Sequence, residues 1–301
     1  MFRNLLKVIA MSLLCHYNLL SQQLIQYNLK VNDTFLFHQQ VDQNIVQLID
    51  GSQHIIDNSI KNVFSLVVKK STDSSYFINF KFERFSMFAK SNLYGVISSV
   101  DTDSINVDDV QSRTFLALTN STLSFELLKN GKIKNLKGTD ALIKKMIDGA
   151  GFEDDFTKAV MTEAMGKEFG SQKMVNSLEQ FTYFYPRKAV QKGDSWKNKY
   201  SGDYNSMNTW VLKNIDKEKI TISGTGKVGV SSSDESMEMV LSGTSKTDIS
   251  SNKSNGILVK MAVESVMEGT STIKSMDSAK FPTTIITKTT YKALKNVQQN
   301  F

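Results

Sequence analysis

The chain has 301 residues, with 36 Lys and Arg against 30 Asp and Glu, three His, two Pro and one Cys, for a formal charge of +6. That length suits one large or two modest domains, each able to bury a core. The basic excess is mild and interleaved with acidic and apolar positions, which argues against the concentrated stripe used for nucleic acid, and one cysteine excludes a disulfide framework.

In chain order, Arg3 and Lys7 come first. A mostly apolar run follows from Val8 to Leu20, broken by His16, Tyr17 and Asn18, and Ser21 puts a small residue before Gln22. This is the layout of a secretory signal peptide over residues 1–21, cleaved between Ser21 and Gln22. The mature protein is then exported: periplasmic, associated with the outer membrane, or secreted. Arg3 and Lys7 leave with the signal, so the charge of +6 falls to +4. Cys15 leaves too, and the mature chain has no thiol. Lipidation of Cys15 is the rival processing route, but it needs small residues where Leu13 and Leu14 stand. No later run approaches the roughly 18 apolar residues of a membrane-spanning helix.

Residues 22–138 read as β-rich. Asp50-Gly51 separates Ile45–Ile49 from His54-Ile55-Ile56, and Asn130-Gly131 separates Leu123–Leu127 from Lys132-Ile133. Asn255-Gly256 precedes Ile257, with Lys253 and Ser254 able to widen that loop. Such dipeptides supply the positive φ angles of hairpin turns. Tyr76, Ile78, Phe80 and Phe82 alternate onto one strand face. The acidic loop Asp101, Asp103, Asn106, Asp108 and Asp109 lacks the Gly and Glu of a calcium-binding EF-hand loop and reads as solvated. Lys129, Lys132, Lys134, Lys137, Lys144 and Lys145 read as a solvated face.

Over residues 139–180 the period becomes helical. Leu142 pairs with Met146, Ile143 with Ile147, Phe156 with Val160, and Met174 with Leu178. Gly149, Gly151, Gly166 and Gly170 divide the segment into about three short helices. Residues 181–301 return to period two. Met237, Met239 and Leu241 oppose Glu238, and Val259, Met261 and Val263 oppose Lys260 and Glu264. Gly224-Thr225-Gly226-Lys227-Val228-Gly229 matches G-x-G-x-x-G, but no helix pattern follows to hold phosphate, so it reads as a glycine-bulged strand.

The two β-rich parts share features. Val31-Asn32-Asp33-Thr34-Phe35 resembles Lys192-Gly193-Asp194-Ser195-Trp196. Phe64–Ile78 and Trp210–Ile222 both read as strand, polar turn, strand. Internal duplication and common hairpin chemistry both account for this.

Chemistry is sparse. His38 and His54 lack metal-ligand spacing, and no G-x-S-x-G elbow marks a nucleophile. Neither a metal nor a cofactor is expected. Asp103-Ser104-Ile105 and Asp277-Ser278-Ala279 match a short O-glycosylation acceptor. Methionine makes adaptable apolar walls as well as ordinary core. The candidate ligand-contacting residues are Met237, Met239, Met261, Met146 and Leu142.

The run Tyr183-Phe184-Tyr185-Pro186-Arg187-Lys188-Ala189-Val190-Gln191-Lys192-Gly193-Asp194-Ser195-Trp196, with Tyr27 to Phe35 and Phe125 to Gly138, resembles a family of uncharacterised exported proteins common in Bacteroidota. The resemblance covers nearly all of the mature chain. It implies a secretion or lipoprotein signal, a first strand opened by Gly-Asp-x-aromatic, and a repeat of that opening after a helical segment. This chain departs in having Asn32 where Gly is usual and in lacking small residues before Cys15. The family has no established activity, so the resemblance implies no catalytic residues. Its β–α–β layout is similar to that of envelope lipoprotein carriers with a curved antiparallel sheet and a helical lid.

These observations predict one α+β domain, mainly antiparallel β: two β-rich halves, 22–138 and 181–301, forming an open curved barrel or sandwich, joined by short helices at 139–180. They predict a non-enzymatic envelope or secreted protein that binds a lipid-like ligand or an envelope protein partner. A structural or adhesion module and a hydrolase with no sequence signature are the alternatives.

Overall fold

The computed structural model describes residues 22–233, 237–274 and 279–294. The signal segment with Ser21, and Asp277 and Ser278 of the second acceptor motif, lie outside the described residues. In chain order the elements are β1 (Thr34–Ile49), β2 (Ser52–Ser71), β3 (Ser75–Ser91), β4 (Gly95–Asp101), α1 (Val110–Thr119), β5 (Thr122–Leu128), β6 (Ile133–Lys137), α2 (Thr139–Ala150), α3 (Asp155–Phe169), α4 (Ser171–Thr182), β7 (Ser195–Tyr200), β8 (Tyr204–Ile215), β9 (Lys219–Ser233), β10 (Met237–Asn252), β11 (Leu258–Ile273) and β12 (Ala279–Leu294).

The two β-rich halves are one sheet. Its 12 strands run in the order β6-β5-β3-β2-β1-β12-β11-β10-β9-β8-β7, with β4 also on β3. Every pairing is antiparallel, and the halves meet at β1–β12 in the middle. The sheet is open, not a sandwich. Long strands need a chain that keeps proline out of the ladder, and both prolines comply: Pro186 lies in a loop and Pro282 near the start of β12. Glycines keep side chains out of close backbone approaches where β10 and β11 pair. A Cβ on Gly243 would lie 1.9 Å from the Val266 carbonyl oxygen, and one on Gly269 would lie 2.1 Å from that of Val240.

The paired motifs noted in the sequence adopt the same local structure. Asn32 (φ 72°) and Gly193 (φ 93°) each carry the positive φ of a tight turn. Asp33 accepts from the Lys30 N–H at 2.8 Å, and Asp194 from the Gln191 N–H at 3.0 Å. Asn32 then donates to Val68 O, as Gly193 does to Leu212 O, and both returning N–H groups close the circuit on Asp33 O and Asp194 O. Each is followed by a register shift, between Val68 and Lys70 and between Leu212 and Asn214. Thus β1–β2–β3 and β7–β8–β9 repeat one three-stranded plan, down to the bulge. The Asn255-Gly256 turn spans a wider loop, as Lys253 and Ser254 suggested. The G-x-G-x-x-G run is strand, but it carries no bulge: its pairing with β10 is continuous. Its glycines lie beneath neighbours instead, with a Cβ on Gly224 falling 2.4 Å from the Trp210 ring.

Helices α2, α3 and α4 fall where the period predicted. Helix α1 was not foreseen. Its first turn, Val110-Gln111-Ser112-Arg113, is polar enough to read as the tail of the acidic loop. Asp109 from that loop is its N-cap, accepting from the Ser112 N–H at 2.6 Å. Helices α1 and α2 pack together, and Phe115 stacks on Phe85 of β3 at 5.1 Å. The Phe156–Val160 pair departs from expectation, because α3 buries no residue and leaves Phe156 78% exposed.

Helix α4 and the following Tyr183-Phe184-Tyr185 hold the curled sheet together. On one side, Glu179 accepts from the Ile133 N–H of edge strand β6 at 2.9 Å, and Thr182 Oγ1 donates to Gly131 O at 2.8 Å. On the other, the Tyr183 carbonyl accepts from Asn198 Nδ2 and from Tyr200 Oη of β7, and Trp196 Nε1 donates to Phe184 O. The strands at the two ends of the sheet are thereby tied to one segment. Between them, Phe181 packs against Phe64 at 5.2 Å and Tyr291 at 5.4 Å, pinning α4 to the centre of the concave face. The distinctive run at 183–196 is therefore a structural clasp.

Burial pushes the Glu179 carboxyl above its ordinary value, against the opposing pull of the Ile133 N–H and Lys132. The carboxyl proton is thus held more tightly in the native state than in the unfolded chain. Its stabilising contribution is complete below the ordinary glutamate range and is lost as pH climbs through the raised native value. Glu179→Gln keeps an acceptor for Ile133. Its unfolding midpoint is expected to stay flat across the window in which that of the unsubstituted protein declines, as read by urea titrations at stepped pH.

Candidate functional site

Side chains on the two sheet faces differ sharply. Outward positions carry the charge. Asp42, Lys288, Glu264 and Lys246 stand opposite one another in succession across β1, β12, β11 and β10, an arrangement of alternating sign that favours the ladder. Inward positions on the same strands carry none.

The concave face is filled at one end and hollow at the other. The filled end lies under α1, α2 and α4, where one continuous core includes Phe37, Phe64, Leu212, Ile222, Ile249 and Met261. Beyond Phe181 and Tyr291 the helices stop, and a trough of about 420 Å³ opens. Its apolar wall is Ile45, Tyr204, Val230, Met239, Met267 and Ile285. Side-chain size explains why it is hollow. The inward row crossing its floor reads Ser265, Thr287 and Gln43 in register, and the short side chains of Ser265 and Thr287 do not reach across. Other hollows, of about 320 and 550 Å³, lie on the outer face among Asp42, Asp57 and Lys288 and among Lys197, Lys227 and Lys246. They are gaps between solvated charges, so the trough is the better candidate.

The trough's polar groups are held in fixed directions. Asn62 Nδ2 donates to Gln39 Oε1 at 2.7 Å, and Gln39 Nε2 donates to Tyr291 Oη at 2.9 Å. Two inward rows along, Asn58 Nδ2 donates to Gln43 Oε1 at 3.1 Å, and Gln43 Nε2 donates to Thr287 Oγ1 at 3.3 Å. Each relay crosses β2, β1 and β12 and ends on a hydroxyl at the trough. Gln180 reaches the same hollow from α4. Burial pushes the Tyr204 hydroxyl up to about 12 and that of Tyr291 higher still, so both are neutral at ordinary pH.

Of the five methionine and leucine candidates, Met239 lines the trough. Met237 precedes it by two on the same face of β10 and is half-buried. Met261, Met146 and Leu142 lie instead in the sealed core, where each is at most 1% exposed. The helical lid covers those positions, and a sequence pattern cannot show where a lid ends. Gln39, Gln43, Gln180, Thr287 and Tyr291 were missed; Gln39 and Gln43 because an inward glutamine on a strand reads as a solvent-facing one, and the others because their meeting depends on long-range packing.

His38 and His54 do not form a site. They fall on opposite faces of the β1–β2 ladder, since His38 pairs with Val63 and His54 with Gln47, nine residues along β1. At the rise of an extended strand that is about 30 Å. His54 is buried between Gln47 (3.2 Å) and Ser91 (2.9 Å). Ser91 Oγ also accepts from the Leu93 and Tyr94 N–H groups, so this set anchors the β3–β4 turn. In the acidic loop, Asp101 and Asn106 accept from nearby backbone N–H groups and Asp103 pairs with Arg84 at 2.5 Å. Among the described residues no group of three or more His, Cys, Asp or Glu is placed to hold a metal ion, and no helix is long and apolar enough to cross a membrane.

Comparisons with known proteins agree with a β-rich chain of unassigned activity. No curated protein matches it. Among solved structures, one of lipovitellin, titled for its lipid–protein interactions, superposes with a TM-score of 0.50 at 9% identity, over 89% of this chain and 25% of that one. The chain therefore spans about a quarter of lipovitellin's length, and the likeness is one of fold. A Salmonella typhi OmpF complex with daunomycin, at 8% identity over 88% of this chain and 99% of that one, reaches a TM-score of only 0.20 and does not bear on the fold. Residues 73–258 match a family model described as a family of unknown function. That match takes in the sheet from β3 through β10 together with all four helices and the clasp, and by it the chain belongs to the DUF6263 family.

Proposed function

We propose that this is an exported, non-enzymatic protein that carries a lipid-like ligand in the trough of its concave face. The trough carries the proposal. Its volume of about 420 Å³ falls within the roughly 300–1,000 Å³ usual for small-molecule sites. Met239 and Met267 give it a wall that adapts to flexible chains. The likeness of fold to lipovitellin, whose structure is titled for lipid–protein interactions, supports the same reading. Export rests on Arg3, Lys7, the apolar run that follows and Ser21. The resemblance to exported Bacteroidota proteins supports a place in the cell envelope or outside it.

The test is native mass spectrometry with lipid extraction, on protein purified from its own envelope. A lipid bound at about one per chain is expected, on a polypeptide beginning at Gln22. Protein that is ligand-free by both methods, and that takes up no 1-N-phenylnaphthylamine, would sink the carrier function. An acylated Cys15 at the N-terminus would overturn the cleavage site alone.

A further inference from the structure

Resting on the carrier reading above, we infer that the trough selects an amphiphile with an uncharged, hydrogen-bond-accepting head, such as a long-chain alcohol, amide or ester, and discriminates against the same chain ending in a carboxylate or phosphate. Three observations converge on this.

First, among the described residues that line the trough, none is Asp, Glu, Lys, Arg or His. The pattern extends beyond the trough. On β1, β2 and β9 to β12 every described Asp, Glu, Lys and Arg between Asp42 and Lys292 that pairs in the ladder takes an outward register position, and Lys246, Lys260, Glu264 and Lys288 are examples. An anionic head would enter with no cation to meet it. Removing such a charge from water, unpaired, costs far more than neutral hydrogen bonds return.

Second, the polar groups are set to donate. In each relay the glutamine spends its carbonyl on an asparagine and its amide on a hydroxyl oxygen. The hydrogens of the Tyr291 and Thr287 hydroxyls are left to point at a guest. Gln180 adds an amide group that bonds to no other described side chain. Carbonyl and hydroxyl oxygens accept such donors without bringing a charge.

Third, the two ends of the trough differ in polarity. Gln39, Tyr291 and Gln180 stand at the end beneath α4. Ile45, Ile285 and Met267 form an apolar row toward the other end, and Met239 lies beyond it. A guest therefore lies with its head under α4 and its tail toward the open end.

The experiment is competition against 1-N-phenylnaphthylamine at pH 8 on the full mature chain, freed of endogenous lipid. The competitors are dodecanol, dodecanamide, dodecanoate and dodecyl phosphate. Dodecanol and dodecanamide are expected to displace the probe at concentrations at least about tenfold lower than the two anions. Equal or tighter binding of dodecanoate overturns head selection while leaving the carrier reading intact. Failure of the probe and all four competitors to bind overturns the carrier reading itself. The half-buried Gln180→Lys variant then places a cation at the polar end. Dodecanoate is expected to gain at least about tenfold relative to dodecanol. An unaltered dodecanoate affinity in a variant that melts like the unsubstituted protein would overturn the placement of the head beneath α4.

Discussion

Replacing Gly131 by alanine is expected to cost the fold at least about 3 kcal/mol, enough to expose much of its stability margin. Two penalties coincide at this position. Its φ of +94° strains any L side chain, and an added Cβ would lie 1.8 Å from the Thr182 carbonyl oxygen. That oxygen belongs to the clasp: it accepts from Tyr27 Oη at 3.0 Å, while Thr182 Oγ1 donates back to Gly131 O. The backbone on both sides is tied down, so neither can retreat cheaply. Gly51 separates the two effects. It shares the positive φ, at +78°, but a Cβ there meets nothing within 4 Å. Gly51→Ala should therefore cost only about 1 kcal/mol, the backbone penalty alone. Urea unfolding of the two variants measures the difference. Equal midpoints would show that the β5–β6 turn is not held against the clasp.

The same comparison shows what a sequence can and cannot convey about this fold. Asp50-Gly51 and Asn130-Gly131 announce turns equally well, because both report local φ. That one turn faces solvent and the other is clamped by a residue 51 positions away is a long-range fact. Strand alternation was just as legible. Glu238, Lys260 and Glu264 point outward as read, and their neighbours point in. The paired Asn32-Asp33 and Gly193-Asp194 turns were visible as a likeness, and they fold alike because the Lys30–Asp33 and Gln191–Asp194 bonds that shape each turn are local. What stayed hidden was the joining of the halves. The β1–β12 pairing spans nearly the whole chain, and no short pattern encodes it. The extent of the lid was hidden for the same reason, so Met261 and Met239 look alike in sequence and differ in fate. The trough's polar floor could have been suspected from one signal. Gln39 and Gln43 flank Val41 in a strand whose only charged inward or outward residue between them is Asp42.

Ser265→Trp is expected to empty the trough of ligand without harming the fold. Ser265 lies inward in the middle of β11, between Thr287 of β12 and Ser245 of β10. It belongs to the row of small residues that leaves the hollow. An indole placed there extends into space and covers apolar wall, Met239, Met267 and Ile285 among it. Burying that surface is favourable, as for any large aromatic that finds room. Bound lipid, counted by native mass spectrometry, should fall at least about tenfold, and the melting temperature should hold or rise. The sign of the stability change discriminates between hollow and packed interiors. In a close-packed interior the same insertion forces neighbours off their rotamers and costs about 1–3 kcal/mol. Ile249→Trp supplies that contrast within the same protein. It also faces inward on the sheet, at 2% exposure, but it lies in the sealed core near Leu212, Ile222 and Met261. It should lower the melting temperature and, lying away from the trough, leave the lipid count near that of the unsubstituted protein. If both tryptophans destabilise alike, the concave face is filled throughout. If Ser265→Trp alone is tolerated and alone loses lipid, the hollow seen beyond Phe181 and Tyr291 is where the ligand resides.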